Sequence, residues 1–250
     1  MTHSLWFVVP AAGRVELARI CLTQLRRTCD ALALEGVDAT AVVIADDENL
    51  DTARALGFGT VERDNQFVSR KFNDGIQLAC DPAINPRPAD YVVPFGSDDW
   101  ADHRLFLNPP SPDTVVGFQH VSFVREDGRE IAVRYLNHLG GSGIRVIPRQ
   151  LLVPLDYRPA DEDRYHGCDT SILVNLSRHH GDRLRIEHRH LHDRQIVDWK
   201  TPGEQLTPYD AVARRRSGPP GNPFVELAGV YPDVALGEMR SHYEQALAAA

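Results

Sequence analysis

Two adjacent aspartates, Asp98 and Asp99, close the segment YVVPFGSDDW (residues 91–100) directly after an apolar run and Gly96-Ser97. Side-by-side carboxylates repel each other, so they are tolerated in water or where a cation sits between them. An Asp-Asp pair taken at random reads as a solvated loop start, because charged side chains prefer water. Here the pair ends an apolar strand and precedes Trp100. That context favours a hard divalent cation shared between carboxylate and phosphate oxygens. A second pair, Asp46-Asp47, ends ATAVVIADD (39–47) in the same way. A carboxylate there either accepts a hydrogen bond from a base or ribose or caps the helix that follows.

Other residues offer chemistry with a plainer alternative beside it. His188, His190 and His192 alternate, so they share one strand face. They read as a zinc site, as a polar sheet face or, in the favoured intermediate reading, as the source of one ligand completing a carboxylate metal site. Asp169 in GCDT (167–170) stands at a helix start, equally a first-turn acid or a catalytic one. His179-His180 suits the dipole at a helix end. The GGSG run (140–143) has neither GxGxxG nor Walker spacing, which excludes a P-loop and leaves a flexible pocket wall.

The bulk numbers set limits. The 250 residues suit one α/β domain with an elaboration or two small domains, and 42% apolar and 25% charged content is that of a soluble globular protein. The net charge of −8 argues against non-specific nucleic-acid binding as the main task. Lys71 and Lys200 are the only lysines; the other 25 basic residues are arginines. Cys21, Cys29, Cys80 and Cys168 lack CxxC spacing and read as reduced thiols in a cytoplasm. No run approaches a membrane span, so stable membrane insertion is not expected.

The elements that must position these residues follow from hydrophobic spacing. LWFVVP (5–10) predicts a first strand, and Leu17, Cys21, Leu25, Cys29 and Leu32 predict a helix over 15–36. A strand over 39–47, a short helix, a short strand at TVERD and a helix over 69–80 capped by Ser69 come next. This alternation predicts an α/β fold, a mainly parallel sheet with helices on both faces, whose ligands bind beyond the carboxyl ends of the strands. The paired aspartates all lie at such ends. Beyond residue 100, TVVGFQHVSFVRED (114–127) reads as strand, Asp127-Gly128 as a hairpin turn and REIAVRYL (129–136) as its return. Helices are expected at 164–181 and 233–249.

Taken in order, these segments resemble a GT-A glycosyltransferase of the family 2 type, over residues 4 to 200. VVPAAGR is similar to the family's opening strand end, which implies nucleotide contact at Pro10, Ala11, Ala12 and Arg14. VVIADDENLD resembles its VDDGSxD segment, implying Asp46 or Asp47 near the base. RKFNDGIQLA resembles its R-x-x-N-x-G helix, with Arg70, Lys71 and Asn73 bordering nucleotide or sugar. YVVPFGSDDW resembles its D-x-D-D strand end with Gly96 in place of the first acid. The resemblance implies donor contacts at Gly96, Ser97 and Asp98, with Asp98 as the main ligand of Mn²⁺ or Mg²⁺. GCDTSI occupies the place of E-D-x-x-L, implying Asp169 as catalytic base, and His190 or His192 would complete the metal site.

The implied fold is the Rossmann-like nucleotide-binding GT-A fold. Residues 1–100 would hold the nucleotide-sugar, 101–216 the acceptor and catalytic base, and 217–250 a closing loop and helix. The implied activity is metal-dependent, inverting transfer of a sugar from a nucleotide-sugar donor, a UDP-sugar first, to a hydroxyl on a glycan, protein or modified nucleobase. A nucleotidyltransferase and a non-catalytic sugar-nucleotide or glycan-binding module are the alternatives from other classes.

Overall fold

The computed structural model describes residues 3–135, 143–164, 167–189, 194–200, 209 and 219–249. In chain order the first half gives β1 (Ser4–Pro10), α1 (Val15–Leu34), β2 (Asp38–Ala45), α2 (Asn49–Ala55), β3 (Gly59–Glu62), α3 (Val68–Cys80) and β4 (Tyr91–Pro94). The second half gives β5 (Asp99–Ala101), β6 (Thr114–Phe118), β7 (His120–Val124), β8 (Ile131–Tyr135), β9 (Arg145–Pro148), α4 (Cys168–His180), β10 (Arg185–Arg189), β11 (Ile196–Trp199), α5 (Pro223–Glu226) and α6 (Asp233–Ala249).

Among the described residues, seven strands form one sheet in the order β10-β6-β9-β4-β1-β2-β3. β1 runs parallel to β2 and β4, β2 to β3, and β10 to β6; β9 alone is antiparallel to its neighbours. The period of two in β1 sorts its side chains between layers. Phe7 and Val9 pack with Leu22, Leu25 and Cys29 of α1 on one face. Val8, with Val42 and Ile44, packs against Phe72 and Ile76 of α3 on the other. This is the expected mainly parallel sheet covered by helices on both faces.

Gly75 explains how closely α3 approaches. A β-carbon there would lie 2.4 Å from Val8 Cγ1 and 2.6 Å from Ile44 Cδ1, so only glycine lets the helix rest on β1 and β2. Ser69 departs from its predicted role. The residue preceding α3 is Phe67, with no side-chain cap. The Ser69 hydroxyl instead donates to the Glu162 carbonyl and accepts from the Arg164 N–H, both at 2.9 Å, tying α3 to the loop before α4.

The predicted strand over 114–127 is two strands. β6 belongs to the large sheet and β7 to a second sheet of order β5-β11-β7-β8. The turn at Asp127-Gly128 does join β7 to antiparallel β8, with Gly128 at φ 68. In the same sheet β11 pairs with β5 antiparallel and with β7 in parallel. Behind it stands an aromatic wall, in which Trp100 of β5 and Trp199 of β11 pack with Tyr231, Met239 and Tyr243 of the C-terminal segment and with Leu17 and Ile20 of α1. No described helix is long and apolar enough to cross a membrane.

Candidate metal and nucleotide site

β4 runs out at Pro94, and the chain turns through Gly96 and Ser97 into the short strand β5. β11 lies against β5 with Asp198 as the register partner of Asp99. Three carboxylates, from Asp98, Asp99 and Asp198, therefore converge with oxygens within 4.8 Å of one another. The turn is held by its own groups. Asp99 accepts a hydrogen bond from the Gly96 N–H at 2.9 Å, and the Asp98 carbonyl accepts from the Trp199 N–H at 2.9 Å.

Two cations partly balance the cluster. Arg14 Nη1 donates to Asp98 Oδ2 at 2.8 Å. Lys200 Nζ lies 2.6 and 2.7 Å from the two oxygens of Asp198. Burial works to raise all three acids, with different outcomes. Asp98 ends below the usual aspartate value because Arg14, and then Lys200, outweigh its desolvation. Asp99 is pushed well above it by burial and by the charges of Asp198 and Asp98. Asp198 rises to about 6, chiefly through burial, with Lys200 opposing the shift. Arg14 and Lys200 thus offset part of the cluster's charge, and Asp99 and Asp198, but not Asp98, hold their protons more tightly than ordinary carboxylates do.

The loop after β1 forms the adjoining wall. Pro10 ends the strand opposite Ile44, and Ala11 continues the ladder by donating to the Ile44 carbonyl at 2.9 Å. The Ala11 carbonyl accepts from Lys71 Nζ at 2.6 Å, and Lys71 also bonds the Asn65 side chain. Lys71 is buried, and burial lowers its pKa against the opposing charges of Asp46 and Asp47. Ala12 is exposed beside Gly13. Asp47 bolts two loops together: Oδ2 accepts from the Gly13 N–H at 2.8 Å, and Oδ1 from the backbone and side chain of Asn49 at 3.0 and 2.7 Å. Asp46 stands exposed next to it. Arg14 follows in the left-handed region, φ 43 and ψ 42, immediately before α1.

Two residues of the α3 motif face away from this wall. Arg70 pairs with Asp163 at 2.6 Å and lies 4.8 Å above the Phe67 ring. Asn73 is fully buried, donating to the Ala160 carbonyl and accepting from the Ala160 N–H at 2.9 and 2.8 Å. It clamps the loop before α4 to the helix. On the far side of β4, the antiparallel register carries Arg145 of β9 to the same carboxyl edge. Arg145 is buried, donates to the Asp169 carbonyl at 2.9 Å and lies 3.6 Å from its carboxylate. Desolvation lowers the Arg145 pKa, with Asp169 opposing. A β-carbon on Gly143 would sit 3.8 Å from Asp169 Oδ2. Gly143, Arg145 and Asp169 thus form one corner, with Asp169 in the first turn of α4.

The same architecture recurs among solved structures. A mutant Drosophila beta-1,4-galactosyltransferase 7, solved in complex with manganese, UDP-Gal and xylobiose, superposes with a TM-score of 0.52 over 87% of this chain and 82% of its own, at 14% identity. The chain has the GT-A fold. Glucosyl-3-phosphoglycerate synthase from Mycobacterium tuberculosis, in complex with Mn²⁺ and UDP-glucose, aligns at 16% identity over 85% of this chain and 76% of its own, with a TM-score of 0.49. At these identities the likeness is one of fold. No family model and no curated protein matches the sequence.

Within this GT-A scaffold the donor set fits a hard divalent cation: three carboxylates at one strand end, negative after their two counter-cations are counted. Of this cluster, sequence reasoning singled out Asp98 and Asp99 and did not single out Asp198 or Lys200 as site residues. A signal for Lys200 existed, because a chain otherwise supplied with arginines carries only two lysines, and both are buried, Lys71 at 2% and Lys200 at 4% exposure. Of the histidine triplet, His188 lies half-buried on β10 opposite Gly117. His190 and His192 lie outside the described residues. His180 bonds the Leu151 carbonyl at 2.8 Å.

Proposed function

We propose that this protein is a metal-dependent glycosyltransferase that moves a sugar from a nucleotide-sugar, most suitably a UDP-sugar, to a hydroxyl acceptor. The observation that carries this reading is the convergence of Asp98, Asp99 and Asp198 at the carboxyl edge of a GT-A sheet. Ligands of open α/β sheets bind at that edge. The fold neighbour solved with manganese, UDP-Gal and xylobiose supports the same donor chemistry.

In this reading Asp98, with Asp198 or Asp99, would hold Mn²⁺ or Mg²⁺, whose charge would offset that of the departing diphosphate. The chain's own groups do the rest. The loop from Pro10 to Arg14 and Lys71 border the nucleotide, and exposed Asp46 is free to face the base or ribose while Asp47 keeps the loops in register. Asp169 is the base of an inverting transfer: it takes the proton of the acceptor hydroxyl while that oxygen bonds to the anomeric carbon and the bond to the diphosphate breaks. Arg145 beneath it fixes the first turn of α4. Residues 1–100 then serve the donor, 101–216 serve the acceptor and catalysis while returning Asp198 and Lys200 to the metal cluster, and 217–250 brace the second sheet. The four cysteines are buried free thiols, which suits a reducing compartment such as the cytoplasm.

The test is a donor screen by mass spectrometry. The protein is incubated with a panel of UDP-sugars and candidate acceptors (glycans, peptides, modified nucleosides), with Mn²⁺ or with EDTA. Metal-dependent release of UDP from at least one donor is expected. Pyrophosphate release from UTP would make it a nucleotidyltransferase, and binding without turnover a recognition module.

A further inference from the structure

The acidic cluster carries two cations, and they are held in different ways. Lys200 is inside the protein. Its side chain is 5% exposed, both oxygens of Asp198 contact it, and the Phe123 ring lies 5.8 Å from its ammonium. Its backbone is fixed too, with its carbonyl accepting from Tyr243 Oη at 2.5 Å and its N–H donating to Val124 at 3.2 Å. Arg14 is at the mouth. Its side chain is 30% exposed, one nitrogen reaches one oxygen of Asp98, and its backbone sits in the left-handed region that a non-glycine residue occupies only under constraint.

We propose that Arg14 is a latch on Asp98, which a divalent cation must displace and which the diphosphate of the donor releases. This rests on the reading of the cluster as a metal and nucleotide site. A guanidinium on Asp98 opposes a metal ion twice. It uses a lone pair of the ligand, and its charge repels the incoming cation. Lys200 does not yield, because leaving Asp198 would strand a buried ammonium. Arg14 can yield, because it already borders solvent and stands in the loop that faces the nucleotide. A diphosphate offers it a better bidentate partner than the carboxylate it leaves. Nucleotide and metal should therefore bind with positive coupling, one part from direct contact between cation and diphosphate and a further part through this one side chain, and the coupling must be reciprocal.

The experiment measures Mn²⁺ binding directly, by the electron paramagnetic resonance signal of free Mn²⁺, with and without UDP. The proteins are the parent, Arg14→Gln, Arg14→Lys and Asp98→Asn. The parent should bind Mn²⁺ weakly alone and about tenfold more tightly with UDP, within the usual range of coupling between two sites. Arg14→Gln should bind Mn²⁺ without nucleotide about tenfold more tightly than the parent, and UDP should then strengthen binding by a clearly smaller factor than it does in the parent. Arg14→Lys, with its shorter, single-point contact, should fall between the two and carries the comparison if the glutamine variant does not fold. Asp98→Asn should lose Mn²⁺ in both conditions. If removing the guanidinium leaves nucleotide-free Mn²⁺ affinity unchanged or weaker, the latch is wrong while the UDP and Asp98→Asn arms still uphold the site. If no protein retains Mn²⁺ even with UDP, the metal reading itself fails and the latch with it.

Discussion

Asp99 of β5 and Asp198 of β11 are register partners across an antiparallel strand pair, so the second sheet brings two carboxylates together at the end of the first. Burial in that position is readable in pH. Asp198 rises from the usual 3.8 to about 6, mainly through burial. An acid raised on folding favours the protonated native state, so its stabilising effect is complete below pH 3.8 and is lost as pH rises through about 6. Asp98 and Asp102 are shifted downward and titrate with the opposite sign, which hides this in the total. The informative quantity is the stability of the parent minus that of Asp198→Asn, from urea unfolding in the absence of metal. It should fall between about pH 4 and pH 6. A flat or rising difference would show that burial does not raise Asp198 on folding.

Gly96 makes a counter-intuitive prediction. It stands where the resembling family has an acid, so Gly96→Asp restores the expected pattern on paper. In this chain a β-carbon at 96 would lie 2.5 Å from Asp99 Oδ2 and 2.9 Å from Asp98 Oδ1. The Asp99 carboxylate has folded back onto the Gly96 N–H and fills that space. Both Gly96→Ala and Gly96→Asp should therefore push the two acids apart, lowering stability by about 1–3 kcal/mol and weakening Mn²⁺ binding at least tenfold. Calorimetric titration with MnCl₂ in the presence of UDP decides it. Tighter binding by Gly96→Asp would mean that the turn relaxes to admit a further ligand.

The local pattern and the long-range pairing were unequally legible in the sequence. The run from β1 to β4 was readable because period-two strands and the helical spacing from Leu17 to Leu32 are local signals, and they placed Asp98 at a carboxyl edge. The second sheet was not. β5 and β11 have three and four residues, and only their pairing brings Asp198 and Lys200 to Asp99. In TVVGFQHVSFVRED, apolar residues continue past the point where the chain leaves one sheet for the other, so hydrophobicity alone could not locate the break. Ser69 misled for a related reason. Its type suits a helix cap, but its partners lie on a loop that only the fold brings near.

Asp98→Asn separates metal chemistry from folding. The Asp98 side chain is only 18% exposed and bonds Arg14, and an asparagine oxygen can still accept that hydrogen bond. The fold should persist, with thermal unfolding within a few degrees of the parent. Mn²⁺-dependent UDP release should drop by a factor of about 100 or more, the scale on which a single electrostatic stabiliser acts in an active site. Turnover at the parent rate would remove Asp98 from the metal site.

Asp169→Asn tests the acceptor side alone. The Asp169 carbonyl anchors buried Arg145, and that bond survives the substitution. UDP-sugar and Mn²⁺ should bind with unchanged affinity while transfer to the acceptor falls by about 100-fold, in line with the loss of a general base. Parent-like transfer would return Asp169 to a role in positioning α4 and Arg145.

Tyr243→Phe asks whether the C-terminal helix α6 positions the site from behind. Tyr243 Oη donates to the Lys200 carbonyl at 2.5 Å, while its ring packs with Trp199 at a centroid distance of 6.1 Å. Phenylalanine keeps the ring and removes one buried hydrogen bond, leaving the Lys200 carbonyl without that donor. A stability loss of about 1–3 kcal/mol is the expected cost of such an orphaned acceptor. If the bond also fixes Lys200, then Asp198 loses a well-placed counter-cation, and the fall in parent-minus-Asp198→Asn stability should move to a different pH when measured in the Tyr243→Phe background. A loss of stability with no such movement would show that α6 supports the sheet without setting the charge balance of the carboxylates.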